Sequence, residues 1–161
     1  MEAQTSKNIV GYEANGGFLL GSDISGEHSV LKALPTRDAV LPILALAALA
    51  TQHKMPISEL SALLPERYTY SDRLQEFAHE RSNELLDSLR SGMHDVRLLL
   101  APNSGCLVVT DNTDGFRATF ENGDIVHLRP SGNAPELRCY AESNTPENAV
   151  NLVNACLAQI V

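Results

Sequence analysis

Two short loops carry side chains of a type and spacing suited to chemistry. The first is Arg129-Pro130-Ser131-Gly132-Asn133-Ala134-Pro135, placed between two expected strands. Arginine is a permanent cation whose planar fork of donors matches a phosphate. Ser131 and Asn133 add side-chain hydrogen-bond donors, and Gly132 lets the backbone turn and approach a ligand closely. Successive amides from Ser131 to Ala134 can form an anion-binding nest. Arg138, further along the second strand, is a candidate second cation, with a solvated strand face as its plainer role. The other loop is Glu13-Ala14-Asn15-Gly16-Gly17. A carboxylate and an amide two residues apart on a glycine loop suit the vicinal hydroxyls of a sugar. A tight turn with solvated polar groups is the simpler reading of the same residues.

The rest of the composition narrows the choice. The 161 residues suffice for one ordinary domain or two small ones. With 12 basic and 20 acidic residues the net charge is −8, which argues against a general nucleic-acid or anionic-membrane binder. The five histidines show no metal-ligand spacing, and Cys106, Cys139 and Cys156 form no CxxC pair. Such cysteine usage fits reduced thiols in a cytoplasm. The N-terminus has no apolar signal segment, and the apolar run Ala39 to Ala50 is shorter than the roughly 20 residues that span a bilayer. No Walker or dinucleotide glycine motif and no Ser-His-Asp arrangement is visible.

These loops need elements to hold them. A boundary near residues 64–68, at Pro65-Glu66-Arg67-Tyr68-Thr69, divides the chain into 1–64 and 65–161. All three lysines precede it and eight of the nine arginines follow it. In the first part, Asn8 to Tyr12 and Phe18 to Leu20 read as short strands. Thr36 is the expected cap of a helix through Val40, Leu41, Ile43, Leu44, Leu46 and Leu49, apolar on more than one face. In the second part, Ser71 to Phe77 reads as extended and Glu80 to Ser91 as helix, stopped by Gly92. Asp114-Gly115 and Asn122-Gly123 are hairpin signals around the alternating strand Phe116, Ala118, Phe120. Strands are expected at Cys106 to Thr110, Ile125 to Arg129 and Glu136 to Glu142, then a helix capped by Thr145-Pro146. The expectation is an α+β fold: a C-terminal antiparallel sheet with helices on one face, preceded by a partial α/β domain.

Three motifs in order resemble one family. Gly11-Tyr12-Glu13-Ala14-Asn15-Gly16-Gly17 resembles the sugar-binding loop of the α-D-phosphohexomutases, of the form GExSGH. Asp114-Gly115-Phe116-Arg117 resembles the DG(L/F/I)R opening in their last domain. Arg129 to Arg138 resembles their phosphate-binding loop, RxSGTxPxxR, and the phosphomannomutase/phosphoglucomutase branch is nearest. Asn15 stands for the family's serine, Gly17 for its histidine and Asn133 for its threonine. By this resemblance, residues 1–64 are the end of a third α/β domain and 65–161 a fourth, phosphate-binding domain. Glu13, Asn15 and Gly16 would hold sugar hydroxyls, and Arg129, Ser131, Gly132, Asn133 and Arg138 the non-reacting phosphate of a hexose phosphate. Family enzymes move a phosphoryl group from a phosphoserine with the help of Mg2+. Neither the TASHNP-type serine loop nor the DGDGDR metal loop occurs in this sequence. The resemblance thus implies a substrate-binding portion that is inactive alone, with no metal or cofactor on this chain and no nucleic-acid or membrane partner. Exposed third-domain surface can drive association of isolated chains. A freestanding phosphosugar-binding or regulatory module is the alternative.

Overall fold

The computed structural model describes residues 8–12 and 17–161. The chain divides into two compact units, Met1–Pro65 and Glu66–Val161.

In the first unit, β1 (Val10–Tyr12) pairs antiparallel with β2 (Phe18–Leu20). The two strands flank Glu13, Ala14, Asn15 and Gly16, which lie outside the described residues. A second small hairpin joins β3 (Ile24–Ser25) to β4 (Val30–Leu31), and β3 falls in the polar, turn-rich stretch from Gly21 to His28. Two-residue strands are too short to leave an alternating pattern. Helix α1 (Val40–His53) follows. Its first amides are satisfied by Asp38, not Thr36: the Asp38 carboxylate accepts from Val40 N at 2.7 Å and Leu41 N at 3.1 Å. Pro42 is tolerated because the first helical turn has no intrahelical acceptors for its amides. Val40, Ile43 and Leu44 are exposed, and Ala50 is the one buried position of the helix. A 3-10 helix, Ile57–Leu63, closes the unit.

The second unit is α+β. Its strands β5 (Tyr68–Leu74), β6 (Leu107–Asp111), β7 (Phe116–Phe120), β8 (Ile125–Pro130) and β9 (Leu137–Ser143) form one antiparallel sheet in the order β5-β9-β8-β7-β6. Helices α2 (His79–Arg90), α3 (Val96–Leu100) and α4 (Pro146–Ile160) pack on one face of it. Alternate residues reach that face. Phe116, Ala118, Phe120, Val126, Leu128, Leu137 and Cys139 form a buried layer against Leu86, Leu89, Leu100, Val153 and Cys156. Burying side chains of this size, at about 1.5–3 kcal/mol for each large aliphatic or aromatic one, holds the sheet to its helices. Arg117, His127, Arg129, Arg138 and Tyr140, interleaved with them, take the opposite face.

Two elements depart from expectation. Strand β5 starts and ends three residues early, because Glu76 adopts φ 54° and the Phe77 amide turns onto the Pro135 carbonyl at 2.8 Å. Helix α3 was not foreseen. Five residues carry no readable period, but Asp95 caps it, accepting from Arg97 N at 2.9 Å and Leu98 N at 3.2 Å.

Candidate phosphate-binding site

Strands β8 and β9 bring Arg129 and Arg138 face to face, since the two are register partners. The loop between the strands is closed by its own backbone. Ser131 N donates to Glu136 O at 2.9 Å, and Glu136 N to Ala134 O at 2.8 Å. This corrects the expected nest of four amides. The Ser131 amide is used inside the loop, and the Asn133 amide leans on Ser131 Oγ at 3.4 Å. Among the described residues, Gly132 and Ala134 keep amides with no acceptor.

Ser131 is buried while Gly132 and Asn133 are exposed at the loop tip. Gly132 is not in the left-handed region, and a Cβ there would meet no atom within 4 Å. The fold therefore does not demand glycine for its own sake at this position. What glycine leaves is open space outside the loop, where a ligand can approach the backbone. Arg138 Nη2 donates toward Ser131 Oγ at 3.4 Å, which draws the second guanidinium to the loop.

Arg129 is held from the side. Its Nε lies 3.0 Å from Asp114 Oδ1 and 2.9 Å from Oδ2. Among the described residues, its terminal nitrogens have no acceptor, so two donors remain for an anion. Asp114 in turn sits in the turn between β6 and β7, where His127 Nε2 donates to its carbonyl oxygen. Gly115 makes this approach feasible. At φ 93° a Cβ would overlap the Leu128 carbonyl oxygen and come within 3.1 Å of Arg129 Cα.

By sequence Asp111 and Asp114 are both turn formers, Asp114 also within the Asp114-Gly115-Phe116-Arg117 motif. In the structure Asp111 shapes the turn, accepting from Thr113 N at 2.8 Å, and Asp114 serves Arg129. The hairpin signal marked the turn, but the carboxylate's partner depends on register. Two further residues were not singled out. Arg73 Nε is 3.3 Å from Glu136 Oε1, and Glu136 Oε2 is 3.8 Å from Arg138 Nη2. Arg73 and Arg138 also line a pocket of about 280 Å³ with Ser71, Asp72 and Tyr140.

The expected sugar residues Glu13, Asn15 and Gly16 lie outside the described residues. Their neighbours Gly11, Tyr12, Gly17, Phe18 and Leu19 line a pocket of about 300 Å³ with Arg37. Magnesium, implied by the resemblance for whole family enzymes, finds no ligand set here: no group of three or more His, Cys, Asp or Glu among the described residues can hold a metal ion. Among them too, no single helix is long and apolar enough to cross a membrane.

The second unit is thus an α+β domain with one open strand connector, its tip at Gly132 and Asn133, flanked by Arg129 and Arg138. Comparison with known proteins gives it a lineage. The family model for the phosphoglucomutase/phosphomannomutase C-terminal domain matches residues 72–159. A phosphomannomutase of Salmonella muenchen is 49% identical over 152 residues, 94% of this chain and 31% of that protein. One from Sinorhizobium fredii is 42% identical over 156 residues, 97% of this chain and 33% of that protein. The chain belongs to the phosphoglucomutase/phosphomannomutase family and carries its C-terminal domain. It spans about a third of the length of these two relatives.

Proposed function

We propose that this chain is the substrate-binding C-terminal portion of a phosphomannomutase/phosphoglucomutase-type enzyme, which moves a phosphoryl group between C1 and C6 of a hexose phosphate. The observation that carries this reading is that Arg138, the register partner of Arg129, reaches Ser131 at the base of the Ser131–Ala134 loop, with Gly132 leaving the loop's outer side open. In the proposed role the loop holds the phosphate that is not being transferred. Arg129 offers its two terminal nitrogens, Gly132 and Ala134 their amides, and Asn133 its side-chain amide. Those donors read the phosphate and little of the sugar, so they can accept a hexose phosphate in either orientation. Glu13, Asn15 and Gly16 would take the sugar hydroxyls. Phosphoryl transfer depends mainly on positioning and electrostatic stabilisation, which is the part such a loop supplies.

No phosphoserine loop or magnesium loop occurs among the 161 residues. The chain is therefore proposed to bind without turnover, and in the whole enzyme magnesium would assist the transfer from elsewhere. Titration of the chain with mannose 1-phosphate, glucose 1-phosphate and inorganic phosphate, read by amide NMR, tests the reading. Shifts centred on Ser131 to Ala134 and lost in Arg129→Ala are expected. Additional sugar-dependent shifts at Glu13 to Gly17 would mark the second half of the site. A loop that ignores millimolar phosphate overturns the binding role, and mutase turnover by the pure chain overturns its inactivity.

A further inference from the structure

We propose that Arg73 is a positioning residue of the phosphate site, acting through Glu136 on Arg138. The inference rests on the phosphate-binding reading of the loop. Its starting point is a charge problem. Glu136 lies at the end of that loop with its side chain only 16% exposed, and its carboxylate is 3.8 Å from Arg138 Nη2. An acid in this place repels an incoming phosphate and competes with it for Arg138.

Strand β5 supplies the answer. Arg73 and Arg138 are register partners across β5 and β9, and Arg138 and Arg129 across β9 and β8. Residues directly opposite in an antiparallel pair share a face. The three arginines thus form one row across the sheet on the face away from the helices. Arg73 Nε takes Glu136 Oε1 at 3.3 Å, leaving Oε2 toward Arg138. Arg73 offsets the charge of Glu136 and fixes its carboxylate. Glu136, so held, directs Arg138 Nη2 to Ser131 Oγ at 3.4 Å. Arg73 itself need not touch the anion. It lies outside the three loops and turns that carry the family resemblance, so only the sheet register places it here.

The chain itself can be tested with inorganic phosphate as probe, comparing Arg73→Ala, Glu136→Gln and the double variant. In the ligand-free chain, Arg73→Ala is expected to move the Ser131 to Ala134 amide resonances. In titrations it should raise the phosphate Kd about two- to fivefold, the size of effect an exposed ion pair can exert. Adding Glu136→Gln removes the uncompensated carboxylate and should return most of that affinity. A merely structural arginine would show no such recovery, because the cycle isolates the coupling between the two residues. Two results overturn the proposal: loop amides and Kd unmoved by Arg73→Ala, or a loss of affinity that Glu136→Gln does not recover. A wild-type chain that ignores phosphate overturns the reading of the loop instead, and the ligand-free amide shifts then decide whether Arg73 governs Arg138.

Discussion

Asp114 grips Arg129 by its Nε, at 2.9 and 3.0 Å from the two carboxylate oxygens, and so fixes the guanidinium while leaving its outer edge open. Both side chains are near half exposed, so the pair itself adds at most about 1 kcal/mol to stability. Its value lies in orientation. A lysine has one nitrogen, which cannot pair with Asp114 and also present two donors in a plane. Arg129→Lys is expected to weaken phosphate binding about tenfold, from the loss of a charge-assisted hydrogen bond. Asp114→Asn should cost about twofold, because the amide oxygen still accepts from Nε. Isothermal titration with phosphate checks the order. Undiminished affinity in Arg129→Lys would show that charge alone matters.

The same contact depends on Gly115. Its φ of 93° and the overlap of any Cβ with the Leu128 carbonyl leave no room for a side chain. Gly115→Ala should destabilise the second unit by about 1–3 kcal/mol, through left-handed strain and displacement of β8. Denaturant unfolding measures this. The variant should also lose the Arg129 side-chain geometry, seen as displaced Arg129 Nε–H signals at temperatures where it is still folded. An unchanged midpoint would contradict the close approach.

The features legible in the sequence were those decided by neighbours along the chain. Asp114-Gly115 and Asn122-Gly123 marked their turns, Phe116, Ala118 and Phe120 their buried face, and Thr145-Pro146 the start of α4, where Thr145 Oγ1 accepts from Asn148 N at 3.1 Å. Type and spacing single out Arg129, Ser131, Asn133 and Arg138 as candidates, and the sheet brings Arg138 to Ser131. What stayed hidden is set by strand register. Asp114 meets Arg129 across 15 residues, and Arg73 reaches Glu136 only because β5 returns beside β9. The edge position of β5 also explains its displaced ends, since its exposed residues carry little alternation. Helix α1 was readable as apolar on more than one side, and it does expose Val40, Ile43 and Leu44.

Thiol chemistry separates the three cysteines. Cys106 is exposed, whereas Cys139 and Cys156 are buried in the core between β9 and α4. A hydrogen bond with Cys139 pushes the Cys156 thiol far up, and burial adds to it. A thiol that does not ionise is a poor nucleophile. An aromatic disulfide reagent at neutral pH should therefore label Cys106 promptly, and Cys139 and Cys156 only on unfolding. Rapid labelling of all three in the folded chain would mean the core opens easily.

Asp124 gives the clearest pH dependence. It is 2% exposed and accepts from Ser104 Oγ and Ser143 Oγ, both at 2.6 Å, from Asn122 Nδ2 at 2.7 Å and from Asn148 Nδ2 at 3.0 Å. One carboxylate thus ties the β7–β8 turn to the end of β9, the first turn of α4 and the segment before β6. Burial alone would raise its pKa, but the four donors outweigh burial and hold it below the usual carboxylate value of 3.8. A depressed folded-state pKa stabilises fully above the unfolded value and loses that stability as pH falls through the folded one. Unfolding midpoints should therefore be nearly flat down to about pH 4 and then fall. Asp124→Asn is expected to cost about 1–3 kcal/mol near neutral pH, since an amide cannot accept from all four donors. Its acid loss should be shallower than wild type, though not absent. Asp23, lowered by the Ala33 amide and Lys32, and Asp111, lowered by Thr113, still titrate. Parallel pH profiles for wild type and variant would show that Asp124 is not the group responsible.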